Sequence, residues 1–91
     1  MFNKLKQIKD LRDQAKTMQN ALAKESVSVE RGGVKIEMNG NLEVTVLTIA
    51  DGSSKESTEK NTKEAINEAI KKTQKLMAQK LQEMGGFPGL M

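Results

Sequence analysis

Lys9, Arg12 and Lys16 follow one another at steps of three and four residues, the spacing that lines side chains up along one face of a helix. Three cations so placed form a rod of positive charge, and the chemistry it suits is contact with a row of phosphates. A solvated face that keeps a protein soluble has the same pattern, so the stripe alone leaves both readings open. Lys71 and Lys75 make a second, shorter basic pair at a step of four. Their neighbours read differently: Lys60, Lys63 and Lys72 follow Glu56, Glu59 and Glu68 by four residues, the arrangement of ion pairs that support a helix. Lys80 falls among apolar positions and reads as a lysine snorkelling from a helix interface.

Little else in the chain could do chemistry. Its 91 residues include no His, Cys, Trp or Tyr, which removes thiol and imidazole catalysis and disulfides and leaves Ser, Thr, Lys, Asp and Glu. No paired groups are spaced for acid, base or nucleophile work, so neither an enzyme nor a small-molecule substrate is expected. A transition metal would need an all-carboxylate site, and no EF-hand-like spacing occurs, so no metal or cofactor is expected. Gly32-Gly33 lacks the following helix and the Lys-Ser or Lys-Thr of a phosphate-cradling loop and reads as a turn. Two arginines, with Phe2 and Phe87 as the aromatic residues, offer poor means of reading bases, so any nucleic-acid binding should go mainly to phosphate.

The elements that must carry these residues are legible from periodicity. Leu5, Ile8, Leu11, Ala15, Met18 and Leu22 trace one stripe and predict a helix over residues 3–24. From Ser26 the period falls to two: Val27 and Val29, then Val34, Ile36 and Met38, predict two strands about a Gly32-Gly33 turn with Arg31 opposite Val34 and Val29 opposite Ile36. A third strand follows Asn39-Gly40-Asn41. A two-residue turn there puts Leu47 and Ile49 on the Val34 face, and a three-residue turn puts Leu42, Val44 and Val46 on it; the residues allow both. Ser53 and Glu56 have capping-box spacing for a second helix, whose stripe runs from Ala65 and Ile66 through Ala69, Ile70, Leu76, Met77 and Leu81 to Met84 and stops at Gly85-Gly86.

The expectation is therefore an α+β domain over residues 1–84, comprising a long helix, a three-stranded antiparallel sheet and a long helix, with a flexible tail over residues 85–91. The second helix should overhang strands of about 23 Å, and its stripe continues past what they could bury. The third strand is apolar on both faces. Both features call for a second copy of the chain, hence a homodimer. Fifteen Lys and Arg against twelve Asp and Glu give a net charge of +3. The charge is segregated: six cations face two acids in the first helix with Lys24, while residues 25–51 carry two cations and five acids. The start of the chain places charges where a secretory peptide needs apolar residues, and no run nears the roughly 18 apolar residues of a membrane span, so no membrane and a cytoplasmic setting are expected.

Three stretches, in this order, resemble the YbaB/EbfC family of bacterial nucleoid-associated proteins: Gly32-Gly33-Val34-Lys35-Ile36-Glu37-Met38-Asn39-Gly40, Ala65-Ile66-Asn67-Glu68-Ala69-Ile70-Lys71-Lys72-Thr73-Gln74-Lys75-Leu76-Met77, and Gly85-Gly86-Phe87-Pro88-Gly89-Leu90. The resemblance covers nearly the whole chain. It implies a small cytoplasmic, nucleoid-bound homodimer whose sheets join and whose helices project like tweezers to hold duplex DNA. The basic stripe read from spacing then supplies the contacts expected, Lys9, Arg12 and Lys16 as main ones and Lys71 and Lys75 as secondary ones. The alternative is a module that presents its helices to a partner protein. The chain departs from the family pattern at Thr58-Glu59-Lys60-Asn61-Thr62-Lys63, where leucines are usual, and in a short loop after Ile49.

Overall fold

Gly32 and Gly33 take φ values of 51° and 86°, the left-handed pair that a two-residue hairpin with native strand twist requires. They join β1 (Ser26–Arg31) to β2 (Val34–Asn39) in the expected register, Arg31 opposite Val34 and Val29 opposite Ile36. The computed structural model describes residues 2–85. Before the hairpin stands helix α1 (Phe2–Ala23), and after it come β3 (Val44–Ile49) and helix α2 (Lys55–Glu83). The three strands form one antiparallel sheet in sequence order, so the α+β architecture is the one expected. The expected tail, beyond Gly85, lies outside the described residues.

Each candidate turn accounts for the facing of part of β3. Met38 pairs with Val44, which puts Val44 on the Val34 face as a three-residue turn would, while Ile36 pairs with Leu47 and Val34 with Ile49, which puts those two on the same face as a two-residue turn would, although that turn would have paired Val34 with Thr45. A bulge between Glu37 and Met38 on the partner strand joins them: Val46 lies opposite Glu37, and Thr45 is the extra residue. The Thr45 hydroxyl donates to the Glu37 carbonyl at 3.2 Å across the irregularity. Val44, Leu47 and Ile49 thereby share the face of Val34, Ile36 and Met38. In the turn itself Leu42 adopts φ 65°, a left-handed conformation uncommon for a bulky residue, and the Asn39 amide oxygen accepts from the backbone N–H of Asn41 (2.9 Å) and Glu43 (3.2 Å).

Helix α2 lies over β1 and β2. Ala65 and Ala69 let it approach closely, and the core between them holds Val29, Val34, Ile36 and Met38, with Val27 and Ile70 at its margin. Each large side chain buried there contributes about 1.5–3 kcal/mol. Thr73 is buried in the same helix with no partner for its hydroxyl. β3 extends past the helix, and all six of its residues are exposed.

Ser54, not Ser53, caps α2: its hydroxyl accepts from the Ser57 N–H at 3.1 Å. The N3 position is then Ser57 rather than Glu56, so the capping box expected from the sequence does not close. Gly85 ends the helix as expected, with φ 80° and its N–H on the Gln82 carbonyl at 3.0 Å. The polar stretch Thr58 to Lys63 has a local explanation. Asn61 sits over the glycine turn, its amide donating to the Gly32 carbonyl at 3.4 Å, where a leucine could make no such bond.

One inference from helix length needs correction. The C-terminal half of α2 does overhang the sheet, but its apolar stripe is met within the same chain: Met77, Ala78 and Leu81 face Met18 and Leu22 of α1 across an open apolar cleft. Among the described residues, the other half of α1 and the strand β3 are the apolar surfaces left exposed.

Candidate nucleic-acid interface

The end of α1 is fastened to the β2–β3 turn. The Gly40 N–H donates to the Leu22 carbonyl at 2.9 Å, and the Asn41 side-chain amide donates to the Gln19 carbonyl at 3.0 Å. The Leu22 carbonyl lies in the last turn of the helix, where the backbone runs out of helical partners, and the Gln19 carbonyl lies one residue before that turn. A glycine is required at position 40, because a Cβ there would stand 2.6 Å from the Leu22 carbonyl oxygen and 2.9 Å from the Leu22 Cβ. Leu22 and Met18 are buried at this end of α1.

Its other end is free. Every residue from 4 to 13 is exposed, which at 1.5 Å per residue is about 15 Å of helix clear of the body. The chain is accordingly drawn out to 63 Å along its long axis, against 20 and 18 Å across. Lys9 and Arg12 lie on this arm and Lys16 at its base, all exposed. None of the three is in an ion pair among the described residues. Their charge is offered to solvent and to whatever anion lies alongside.

Lys71 and Lys75 are exposed on α2. Lys71 borders a shallow recess with Arg31, Asn67, Glu64 and Glu68, so two cations there stand beside two carboxylates and the local charge cancels. Lys75 forms no ion pair among the described residues. Among the described residues no hydrogen bond or ion pair joins this pair of lysines to the α1 stripe. The two sets belong to different helices, which meet where Met18 and Leu22 face Met77 and Leu81.

The three ion pairs expected along α2 do not form. Glu68 turns instead to Arg31 at the end of β1, at 3.4 Å, with Glu64 at 3.8 Å from the same guanidinium. Glu59 pairs with Lys55 at 3.9 Å. Arg31 reaches across from the sheet edge and carries a fork that two carboxylates can share, which a lysine on the same helix does not match. The Lys80 side chain is largely covered and brings its ammonium out to two carboxylates. Its ammonium meets Glu25, just before β1, at 3.0 Å and Glu83 at 3.9 Å, and the hydrogen bond to Glu25 with its charge holds the lysine pKa above 10.5. Sequence reasoning missed Gly40 and Asn41 as the residues that aim the arm. Asn-Gly is a turn signal, and nothing in the spacing tells which helix end the turn will touch.

The architecture is helix, three-stranded antiparallel meander, helix, with a basic stripe on the exposed part of the first helix. The chain matches the YbaB/EbfC DNA-binding family over residues 1–87, and it belongs to that family. It is 31% identical to a protein of Syntrophobacter fumaroxidans (strain DSM 10017 / MPOB) described as a nucleoid-associated protein, in an alignment covering 98% of this chain and 89% of the relative. Among the described residues no helix is long and apolar enough to cross a membrane.

Proposed function

We propose that this chain is a nucleoid-associated protein of the cytoplasm that binds duplex DNA as a homodimer, mainly through phosphates. Lys9, Arg12 and Lys16 make the principal contacts and Lys75 a secondary one. Lys71 contributes less, because Glu64 and Glu68 already sit beside it. The observation that carries the reading is the arm: a helix freed from the body by about 15 Å, with a basic stripe unpaired among the described residues. Phosphate contacts position a protein without reading sequence, so these cations by themselves should discriminate little between one duplex and another.

The homodimer is supported by β3. Val44, Leu47 and Ile49 lie on the sheet face that α2 occupies and are left exposed there. An edge strand with free backbone groups and apolar side chains on both faces needs covering, and a second copy supplies the same surface in return. Two arms per dimer double the phosphate contacts.

Titration of a labelled duplex with the parent protein and with the Lys9→Ala/Arg12→Ala/Lys16→Ala variant, at about 50 mM salt, tests the assignment. The variant should bind every sequence more weakly to a similar extent, with helix content and sedimentation unchanged. Equal binding by the two proteins would remove α1 as the DNA surface. Absence of binding by the parent would leave the protein-interaction reading in its place.

A further inference from the structure

Phosphate binding uses the cations of α1 and leaves its apolar residues unexplained. Leu5, Ile8 and Leu11 are 75%, 55% and 50% exposed, on a stretch of the helix in which every residue from 4 to 13 is exposed. They continue the stripe that is buried further on at Met18 and Leu22. Lys9 stands four residues from Leu5 and Arg12 four from Ile8, so the cations border the apolar stripe on the same side of the helix. An occupant of this surface must offer apolar groups flanked by negative charge.

A second copy of α1 fits poorly. Antiparallel pairing about Ile8 would bring the Lys9, Arg12 and Lys16 flank against itself, and like charges at that range oppose association. The major groove of a duplex fits well. It is about 12 Å wide and admits a helix 10–12 Å across; phosphates line its rims, and the apolar group on its base edges is the thymine methyl. We propose that the free arm of α1 enters the major groove and seats Leu5, Ile8 and Leu11 against thymine methyl groups while Lys9 and Arg12 hold the phosphate rim. The inference rests on the duplex-binding reading above and adds to it a modest preference for A·T-rich DNA.

Each methyl group taken out of water is worth about a fourfold change in affinity, so two contacts predict a preference of about tenfold or somewhat more. Fluorescence anisotropy on three duplexes of equal length decides the matter: alternating A·T, the same duplex with uracil in place of every thymine, and alternating G·C, all at one salt concentration. The parent protein should bind the thymine duplex about tenfold more tightly than its uracil counterpart, which lacks the methyls and keeps the hydrogen-bonding edges. The Leu5→Ala/Ile8→Ala/Leu11→Ala variant should bind the two alike, with the same dependence on salt as the parent. Alanine keeps the arm helical, and the three side chains are exposed, so the fold is not at stake.

Equal affinity of the parent for thymine and uracil duplexes overturns this inference and leaves the phosphate reading standing. So does a thymine preference that survives the triple variant, which would trace it to duplex shape. A triple variant that sediments at half the parent's mass would make the stripe a surface between chains and overturn the inference too. Absence of binding to all three duplexes would defeat the duplex-binding reading and this one with it.

Discussion

The Gly40 N–H points at the Leu22 carbonyl across 2.9 Å, and a turn of the sheet thereby fixes the end of a helix whose basic face begins two turns away. The contact leaves no room for a side chain at position 40. The direction of the arm, and with it the placement of Lys9 and Arg12, therefore depends on a residue far from both in sequence.

Gly40→Ala should push the end of α1 off the turn. The clash is with backbone rather than a flexible side-chain tip, so relief requires the helix to move, at a cost of about 1–3 kcal/mol. Urea denaturation should show that loss. An unchanged midpoint would mean that the turn does not hold the helix.

Much of this architecture was legible in the sequence, for reasons that differ by element. The helices and the first hairpin could be read because period and turn chemistry act locally: Val29 finds Ile36 once Gly32-Gly33 makes a two-residue turn. β3 could not be resolved because each register accounts for half of it, Val44 by one and Leu47 with Ile49 by the other, and the bulge at Thr45 that reconciles them is a matter of sheet geometry. The overhang of α2 suggested a second chain, whereas Met18 and Leu22 of the same chain meet it; where α1 folds back is set by Gly40 and Asn41, far off in sequence. The basic stripe was legible as a stripe. That residues 4–13 stand clear of the body was not, and this exposure is what makes Lys9 and Arg12 available. Glu68 has a lysine four residues on and still turns to Arg31, because long-range geometry outweighs a weak pair along the helix.

Thr73→Val should stabilise the fold. The Thr73 hydroxyl is buried without a partner, and removing an unsatisfied polar group while keeping the side-chain shape recovers about 1 kcal/mol. Thermal unfolding should show a higher midpoint than that of the parent.

Leu47→Asp tests the dimer without attacking the core. The residue is half exposed in the single chain, so the variant should stay folded, but a carboxylate forced into an apolar interface costs several kcal/mol. Analytical ultracentrifugation should give about twice the chain mass of about 10 kDa for the parent and a single-chain mass for the variant. A parent that sediments as a single folded chain would rule the homodimer out.

The pairing of Lys80 with Glu25 should leave a mark at alkaline pH. Because the folded-state pKa lies above the ordinary value of 10.5, the stabilisation is present in full below that value and is lost as pH rises through the raised one. Lys80→Met should therefore reduce stability at neutral pH and flatten the part of the alkaline decline due to this residue. Denaturation midpoints across pH 7 to 12 measure both.

The most direct test of the central claim, that an exposed basic arm binds duplex DNA through phosphates, is the slope of log affinity against log salt for the parent protein. Two arms contributing roughly four to six phosphate contacts per dimer predict a slope of about −4 to −5, since each neutralised phosphate contributes about −0.9. The triple variant lacking Lys9, Arg12 and Lys16 should show a much shallower slope. A parent slope near zero would contradict the account, because binding would then owe little to phosphate.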